Sequence, residues 1–219
     1  MKKIFVCLLL LMLAVPACAE ENIPLFKDYY YGMSKADVQK KSGAIACQHE
    51  NLLGSLCMKK PISFGNQQWE QVFLIEDNKL GAVLLAKDID AQSLVAVMQT
   101  VTSNGYVLLS MSTGSKQFDL INTVHTKGKN SINAEMTKFE AEAQNAQELA
   151  YGFFEAEKVK PLIAKSDVIS FGDFVAKAPV NLRSVEIKRT GDILSVQFLA
   201  PIAAIQDMRK KAGESKEKF

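Results

Sequence analysis

The sequence predicts an α+β fold in which helices pack on an antiparallel sheet. Two predicted hairpins supply the sheet, at residues 69–86 and 183–199, because each joins two strand-forming runs across a polar turn. Apolar residues at helical spacing follow the first hairpin, in the segment that begins after Asp90. Strands joined by tight hairpins run antiparallel, and helices beside such a sheet cover its apolar face.

The N-terminus has the order of a secretory signal. Lys2 and Lys3 precede the apolar run 4–15, and small residues follow at 17–19. The run is shorter than the roughly 20 residues that a membrane-spanning helix requires. We therefore expect residues 1–19 to be a signal peptide and the mature chain to be periplasmic or secreted, with no transmembrane segment. The alternative is a lipoprotein anchored through Cys18, because residues 15–18 resemble a lipoprotein box.

The charge balance argues against nucleic acid as a partner. The whole chain has 26 Lys and Arg against 24 Asp and Glu, and two of the lysines lie in the predicted signal, so the mature chain has 24 of each sign. A chain without excess positive charge lacks the electrostatic surface that phosphate backbones require. No cofactor is expected either, since the sequence contains no glycine-rich phosphate loop.

The two cysteines that remain after the signal predict a disulfide. Cys47 and Cys57 form an even pair in a chain that is expected to enter an oxidising compartment. The alternative is a metal site formed by Cys47, His49 and Cys57, although oxidised thiols cannot bind metal as thiolates. Redox catalysis is disfavoured because the spacing is not Cys-x-x-Cys.

The first half of the chain opens with a capped helix. Ser34 is followed three residues later by Asp37, which is a weaker form of the capping box, and Gly43 fits the end of the helix. Val38 is the apolar contact of this helix. A short strand is predicted at 62–64, before the first hairpin.

The second half opens with two predicted strands, 106–111 and 117–124. A long helix is predicted over 132–153, because its apolar residues alternate spacings of four and three. We expect this helix to pack on the protein's own sheet, with a partner helix as the alternative. A further strand is predicted at 168–175, before the second hairpin.

The two halves share the order helix, strand, hairpin, helix, which suggests two modules in tandem. We assign residues 20–105 to a first module that carries the cysteine loop. Residues 106–208 form a second module or continue the same domain. A brief helix is predicted from Pro201, and residues 209–219 are predicted to form a charged flexible tail.

Gly32, Met33 and Ser34, followed by Val38, resemble the opening of a known type of small module. The BamE/SmpA-like and β-lactamase-inhibitor-protein-like modules open with Gly-Met-Thr, a short helix and a Leu-Gly-x-Pro stop, followed by an antiparallel sheet. The resemblance covers residues 29–86 and implies the same α+β fold. Lys-Ser-Gly-Ala at 41–44 departs from the usual stop.

Members of that group act mainly by binding, so the resemblance implies a protein partner in the cell envelope. Tyrosine side chains are enriched at binding hot spots because they offer a large, stiff ring with a polar tip. The candidate binding surface is therefore Tyr29, Tyr31 and Trp69, with alternation along an extended segment placing Tyr30 on the opposite face. If the first two do not form that face, Tyr30 alone is the alternative.

No catalytic constellation is recognisable in the sequence. His49 and His125 are the only histidines, and neither has a nucleophile and an acid at an interpretable spacing. We therefore expect a non-catalytic protein-binding module. The alternatives are a periplasmic hydrolase with an unidentified acidic site and a lipid-anchored structural protein of the envelope.

Overall fold

The computed structural model describes residues 22–216, and an antiparallel sheet of ten strands forms its centre. The predicted signal peptide, residues 1–19 with Cys18, lies outside the described residues. The strands are β1 (Pro24–Phe26), β2 (Tyr29–Tyr30), β3 (Ile45–Ala46), β4 (Leu56–Cys57), β5 (Ile62–Phe64), β6 (Gln67–Glu76), β7 (Lys79–Asp88), β8 (Tyr106–Ser112), β9 (Gln117–Asp119), β10 (Glu148–Glu155), β11 (Ser184–Thr190) and β12 (Ile193–Leu199).

Seven α-helices are present in the described part of the chain. They are α1 (Lys35–Ser42), α2 (Ala91–Ser103), α3 (Leu120–Lys127), α4 (Ile132–Glu142), α5 (Ala156–Ile163), α6 (Phe171–Lys177) and α7 (Pro201–Lys216). The last helix continues into the segment for which the sequence predicts a charged tail. None of the helices in residues 22–216 combines the length and the apolar character that crossing a bilayer requires.

The two predicted hairpins join into one sheet. The strand order is β3-β4-β6-β7-β12-β11-β10-β8-β9, with β5 pairing with β6 beside β4, and β1 and β2 form a separate two-stranded ribbon. β7 pairs antiparallel with β12, for example Leu85 opposite Val196. The predicted α+β class with an antiparallel sheet is therefore confirmed.

The turn of the first hairpin has the chemistry that its geometry requires. Asp77 and Asn78 both adopt positive φ, at 49° and 61°. Asp and Asn tolerate this conformation better than other residues with a side chain, and two successive positive values suit the twist of the flanking strands. β6 and β7 consequently pair along most of their length.

Apolar side chains form a core on each face of the sheet. Successive residues of a strand point to opposite faces, and the neighbours Phe153 and Phe154 of β10 lie in different cores. The larger core contains Trp69 and Phe73 of β6 together with Val97 of α2. The smaller core packs β8 and β10 against α3, α5 and α6.

The predicted helix over 132–153 is wrong in its second half. α4 ends at Glu142, and residues 148–155 form β10, which pairs with β8 on one side and β11 on the other. Leu149 and Tyr151 alternate with their neighbours onto the larger core, so the period of two decides the structure. The heptad-like spacing of the alanines is also compatible with a helix, which is why the sequence predicts a helix here.

Two predicted strands are helical for most of their length. In the segment 117–124, only Gln117–Asp119 is a strand, because Asp119 caps α3 by accepting a hydrogen bond from Asn122 N at 2.9 Å. The segment 168–175 contains the start of α6, whose N-cap is Ser170.

The caps of α1 and α6 have the same geometry. Ser34 accepts a hydrogen bond from Asp37 N at 3.1 Å, and Ser170 accepts one from Asp173 N at 3.1 Å. Each serine hydroxyl also donates to the carboxylate of its aspartate, at 2.6 and 2.7 Å. The Ser34 cap and the Gly43 stop confirm the predicted first helix.

Candidate binding cleft

A cleft of about 780 Å³ lies between the tyrosine segment (residues 29–34), the β6–β7 turn and α7. Its volume falls within the roughly 300–1,000 Å³ that is usual for ligand pockets. The lining side chains are a mixture of aromatic, charged, amide and apolar groups. They include Tyr30, Tyr31, Met33, Asp37, Glu76, Asp77, Lys79, Leu80, Val180, Gln206, Asp207, Lys210 and Lys211.

The backbone of the tyrosine segment explains why two neighbouring tyrosines reach the same cleft. β2 ends at Tyr30, so the alternation of an extended strand stops there. Tyr31 N donates to Ile23 O at 2.8 Å, and Gly32, at φ 79°, donates to Leu80 O at 2.9 Å. The glycine permits a turn that residues with a Cβ rarely adopt. Tyr30 and Tyr31 therefore line the cleft together. The predicted face of Tyr29 with Tyr31, opposite Tyr30, is not the wall of this cleft.

Tyr29 packs against the sheet and does not line the cleft. Its ring centroid lies 4.6 Å from that of Phe73, and Lys41 Nζ lies 5.4 Å from the Tyr29 centroid. Burial raises the pKa of the Tyr29 phenol, and the Ser42 hydrogen bond only partly offsets this. The side chain thus helps to fix the segment to the sheet.

Tyr31 connects the tyrosine segment with the C-terminal helix. Its Oη donates a hydrogen bond to Asp207 Oδ2 at 2.9 Å. Burial, the hydrogen bond to Asp207 and the negative charges of Asp207 and Glu76 all raise the pKa of the phenol well above its usual value. The hydroxyl therefore stays protonated and acts as a donor across the physiological pH range.

α7 is anchored at its first turns and projects along the cleft beyond them. Ile202 and Ala203 are buried, whereas Asp207 is the only half-buried residue of 206–213 and the others are exposed. Lys211 forms ion pairs with Glu76, at 3.4 Å, and with Asp77. The projecting part is thus held by polar contacts with the tyrosine segment and the β6–β7 turn.

Charges of both signs line the cleft. The four carboxylates are Asp37, Glu76, Asp77 and Asp207, and the three lysines are Lys79, Lys210 and Lys211. Lys79 and Lys210 form no ion pair with any residue in the part of the chain that the structure describes. Lys79 and Lys210 thus differ from Lys211, whose ammonium group is paired with Glu76 and Asp77.

Trp69 lies in the core and not on a surface. Its side chain is 1% exposed, and its Nε1 donates to Phe64 O at 2.9 Å. The position in β6 that the sequence predicts is right, but this strand is flanked on both sides and the ring points into the larger core. The prediction that Trp69 forms part of a binding surface is therefore wrong.

The predicted disulfide is confirmed. Cys47 and Cys57 are bonded, with Cα atoms 5.0 Å apart. Among residues 22–216, no group of three or more His, Cys, Asp or Glu side chains could hold a metal ion. The alternative of a metal site at these cysteines is ruled out because their sulfurs are oxidised.

Sequence reasoning missed the residues that α7 and the β6–β7 turn contribute to the cleft. Asp207 lies 176 residues from Tyr31, and no local pattern relates the two. Lys210 and Lys211 fall in the predicted tail. Glu76 and Asp77 are residue types that are common in exposed turns, so nothing in the sequence marks them as part of a site. Comparison of the chain with protein-family models, with curated proteins and with solved structures finds no match.

Proposed function

We propose that this chain is an exported, non-catalytic protein-binding module and that its partner binds the cleft. The observation that carries the proposal is the pair of half-buried tyrosines, Tyr30 and Tyr31, on the wall of a cleft of about 780 Å³. Half-buried tyrosines lose little side-chain entropy on binding and present both ring and hydroxyl to a partner.

The charges around the tyrosines favour a polypeptide as the partner. Lys79 and Lys210 can pair with acidic side chains of a bound protein, and Asp37 can pair with basic ones. Val180, which is 44% exposed, adds an apolar contact at the same cleft. A mixed polar rim around aromatic residues is the usual composition of a protein interface.

Two further features support export and the proposed relationship to the BamE-like group. The disulfide is compatible with an oxidising compartment, as the predicted signal requires. The repeated Ser-x-x-Asp caps at Ser34 and Ser170 each begin a helix before a hairpin, which fits two such modules in tandem. Mass spectrometry of the mature N-terminus tests the export route, since processing to Glu20 excludes lipidation at Cys18.

Site-specific photo-crosslinking tests the cleft directly. Benzoylphenylalanine at Tyr30 should give a discrete protein adduct in cells that produce the chain, whereas the same group at Lys129, an exposed residue outside the cleft, should not. Gln206→Trp should abolish the adduct, because Gln206 is an exposed lining residue and the larger ring would fill the cleft. Adducts of equal yield at both positions, unaffected by Gln206→Trp, would refute the proposal.

A further inference from the structure

A second, smaller pocket of about 280 Å³ shares no lining residue with the cleft. It lies where the β1–β2 turn, β5, the end of α2 and the starts of β8 and β11 meet. Its lining consists of apolar and aromatic side chains with a few polar ones. They are Leu25, Phe26, Lys27, Phe64, Val101, Asn104, Tyr106, Arg183, Val185 and Phe198.

The apolar part of this pocket is an aromatic cluster. The ring centroid of Phe26 lies 4.6 Å from that of Phe198 and 5.8 Å from that of Phe64, the latter pair edge to face. Phe64 and Phe198 are also edge to face, at 5.7 Å. Phe26 and Phe198 are each 7% exposed and Phe64 is half-buried, so Phe64 offers a ligand more ring surface than either of the other two, and such a surface suits the ring of a small aromatic molecule.

The charged groups of the pocket are both positive. Lys27 and Arg183 line it, and no carboxylate does. Lys27 Nζ lies 5.2 Å from the centroid of Phe26 and pairs with no carboxylate among residues 22–216. Arg183 forms an ion pair with Glu155, which also pairs with Lys158. Glu155 therefore balances the charge of Arg183, and the unpaired ammonium group of Lys27 supplies the excess positive charge that attracts an anion to the pocket.

A neutral donor supplements the positive charges. Tyr106 lines the pocket beside Arg183, whose guanidinium carbon lies 5.9 Å from the centroid of the Tyr106 ring. Burial raises the pKa of the Tyr106 phenol, although the positive charge of Arg183 acts in the opposite direction. The phenol therefore remains able to donate a hydrogen bond to an anionic oxygen.

We propose that this pocket is a binding site for a small aromatic carboxylate, with the ring against Phe26, Phe64 and Phe198 and the carboxylate near Lys27 and Arg183. Its small volume excludes a folded protein surface, so the inference goes beyond the proposed function and does not depend on it. Two sources share this chemistry, namely a free aromatic acid and the C-terminal aromatic residue of a polypeptide.

Trp69 provides a reporter for the test, because it is the only tryptophan of the chain and its ring centroid lies 6.3 Å from that of Phe64. The full chain is titrated with phenylacetate, with benzylamine as the cation of the same ring, and with acetate as the anion without a ring. We expect a saturable change of Trp69 emission with phenylacetate alone, accompanied by saturation transfer from protein to phenylacetate in NMR spectra. N-acetyl-Gly-Gly-Phe distinguishes the sources, since tighter binding than phenylacetate indicates a polypeptide C-terminus and weaker binding a free acid.

Lysine variants locate the bound anion. Lys27 has φ 51°, which asparagine tolerates, so Lys27→Asn removes the charge with little backbone strain. This variant should weaken phenylacetate binding by about two- to five-fold, as expected for the loss of one partly screened ion pair. Lys210→Asn, the matched change in the cleft, should leave the affinity unchanged.

Several outcomes would overturn the site. One is equal affinity for phenylacetate and benzylamine. Another is weaker phenylacetate binding by Lys210→Asn while Lys27→Asn binds it as tightly as wild type, which would place the ligand in the cleft. Absence of both the emission change and saturation transfer at millimolar phenylacetate would also exclude it. The crosslinking at Tyr30 is independent of all of these results, so this inference and the proposed function fail separately.

Discussion

Tyr31 donates a hydrogen bond to Asp207 across 176 residues of sequence, with 2.9 Å between Oη and Oδ2. The contact joins the tyrosine segment, near the start of the described chain, to the projecting part of α7. Both residues line the cleft, so the width of the cleft at this point depends on the contact. A partner that binds there meets a wall held in place by this hydrogen bond.

Tyr31→Phe should destabilise the protein by about 1 kcal/mol, because one hydrogen bond to a charged, partly buried acceptor is lost. Chemical denaturation measures the difference. In a double-mutant cycle with Asp207→Asn, the coupling energy should be about 0.5–1.5 kcal/mol. Tyr30→Phe is the matched control, since no hydrogen bond of the Tyr30 hydroxyl to the described residues is present. Additive effects of the two single changes would show that the residues do not interact in solution.

Alkaline pH should expose the same contact. The pKa of Tyr31 is raised in the folded protein above its ordinary value of 10.0, so the unfolded chain releases the proton first as the pH rises. Stability from this group is complete below pH 10 and is lost as the pH rises towards the folded pKa. Between about pH 10 and 12, wild type should therefore lose stability more steeply than Tyr31→Phe. Parallel curves would contradict the prediction.

The disulfide should contribute to the stability of the sheet edge. Cys57 lies in β4, next to the buried Leu56, which pairs with Phe73 of β6. Cys47→Ala combined with Cys57→Ala should lower the free energy of unfolding by about 2–3 kcal/mol, the loop-entropy value for so short a loop. Reductant should destabilise wild type by a similar amount and leave the double variant unchanged. An equal response of both proteins to reductant would contradict this assignment.

The sequence predicts well those elements whose stabilising contacts are all made between residues close together in the chain. The cap at Ser34, the stop at Gly43 and the turn at Asp77–Asn78 are of this kind, and so is the disulfide. The Ser-x-x-Asp cap at Ser170 carried the same signal and could have revealed α6. The apolar residues around Ser170 also suit a strand, and they account for the strand that is predicted over 168–175.

The cleft could not be predicted in this way, because its walls meet only through the order of strands. α7 starts where β12 ends, and β12 lies beside β7, so α7 reaches the β6–β7 turn and the tyrosine segment. The pairing of β7 with β12 depends on long-range packing and leaves no local pattern. β10 shows the same limit, since its flanking strands decide against the helix that its spacing suggests.

A side chain at Gly152 of β10 should destabilise the protein while Ser110 remains. A Cβ at Gly152 would lie 2.5 Å from Ser110 Oγ on the neighbouring strand β8. Gly152→Ala should therefore destabilise by about 1–2 kcal/mol, although alanine restricts the unfolded chain more than glycine does. Adding Ser110→Ala removes the contacting oxygen and should restore stability to within about 0.5 kcal/mol of the Ser110→Ala single variant. Failure of this rescue would mean that another contact limits the site.

Acid should weaken the protein through Glu155, which joins the end of β10 to the start of β11. Its side chain is 14% exposed and accepts hydrogen bonds from Arg183 Nε at 2.6 Å and from Arg183 N at 3.1 Å, with Lys158 Nζ at 2.9 Å. Burial alone would raise the pKa of this carboxyl, but these donors outweigh it and lower the pKa below its ordinary value of 4.5. The unfolded chain therefore takes up the proton first as the pH falls, so this contribution is complete above pH 4.5 and is lost towards the folded pKa.

Glu155→Gln should cost about 2 kcal/mol at neutral pH, because it leaves a partly buried guanidinium without its counter-charge. The variant should also lose less stability than wild type when the pH falls below 4.5, since the group that titrates is gone. Denaturation curves at several acidic pH values measure both effects. Glu157→Gln, an exposed residue on α5, is the matched control and should follow wild type. Superimposable pH profiles for wild type and Glu155→Gln would mean that other carboxylates dominate acid unfolding, and that the Glu155–Arg183 pair does not connect β10 and β11 in the way that its hydrogen bonds indicate.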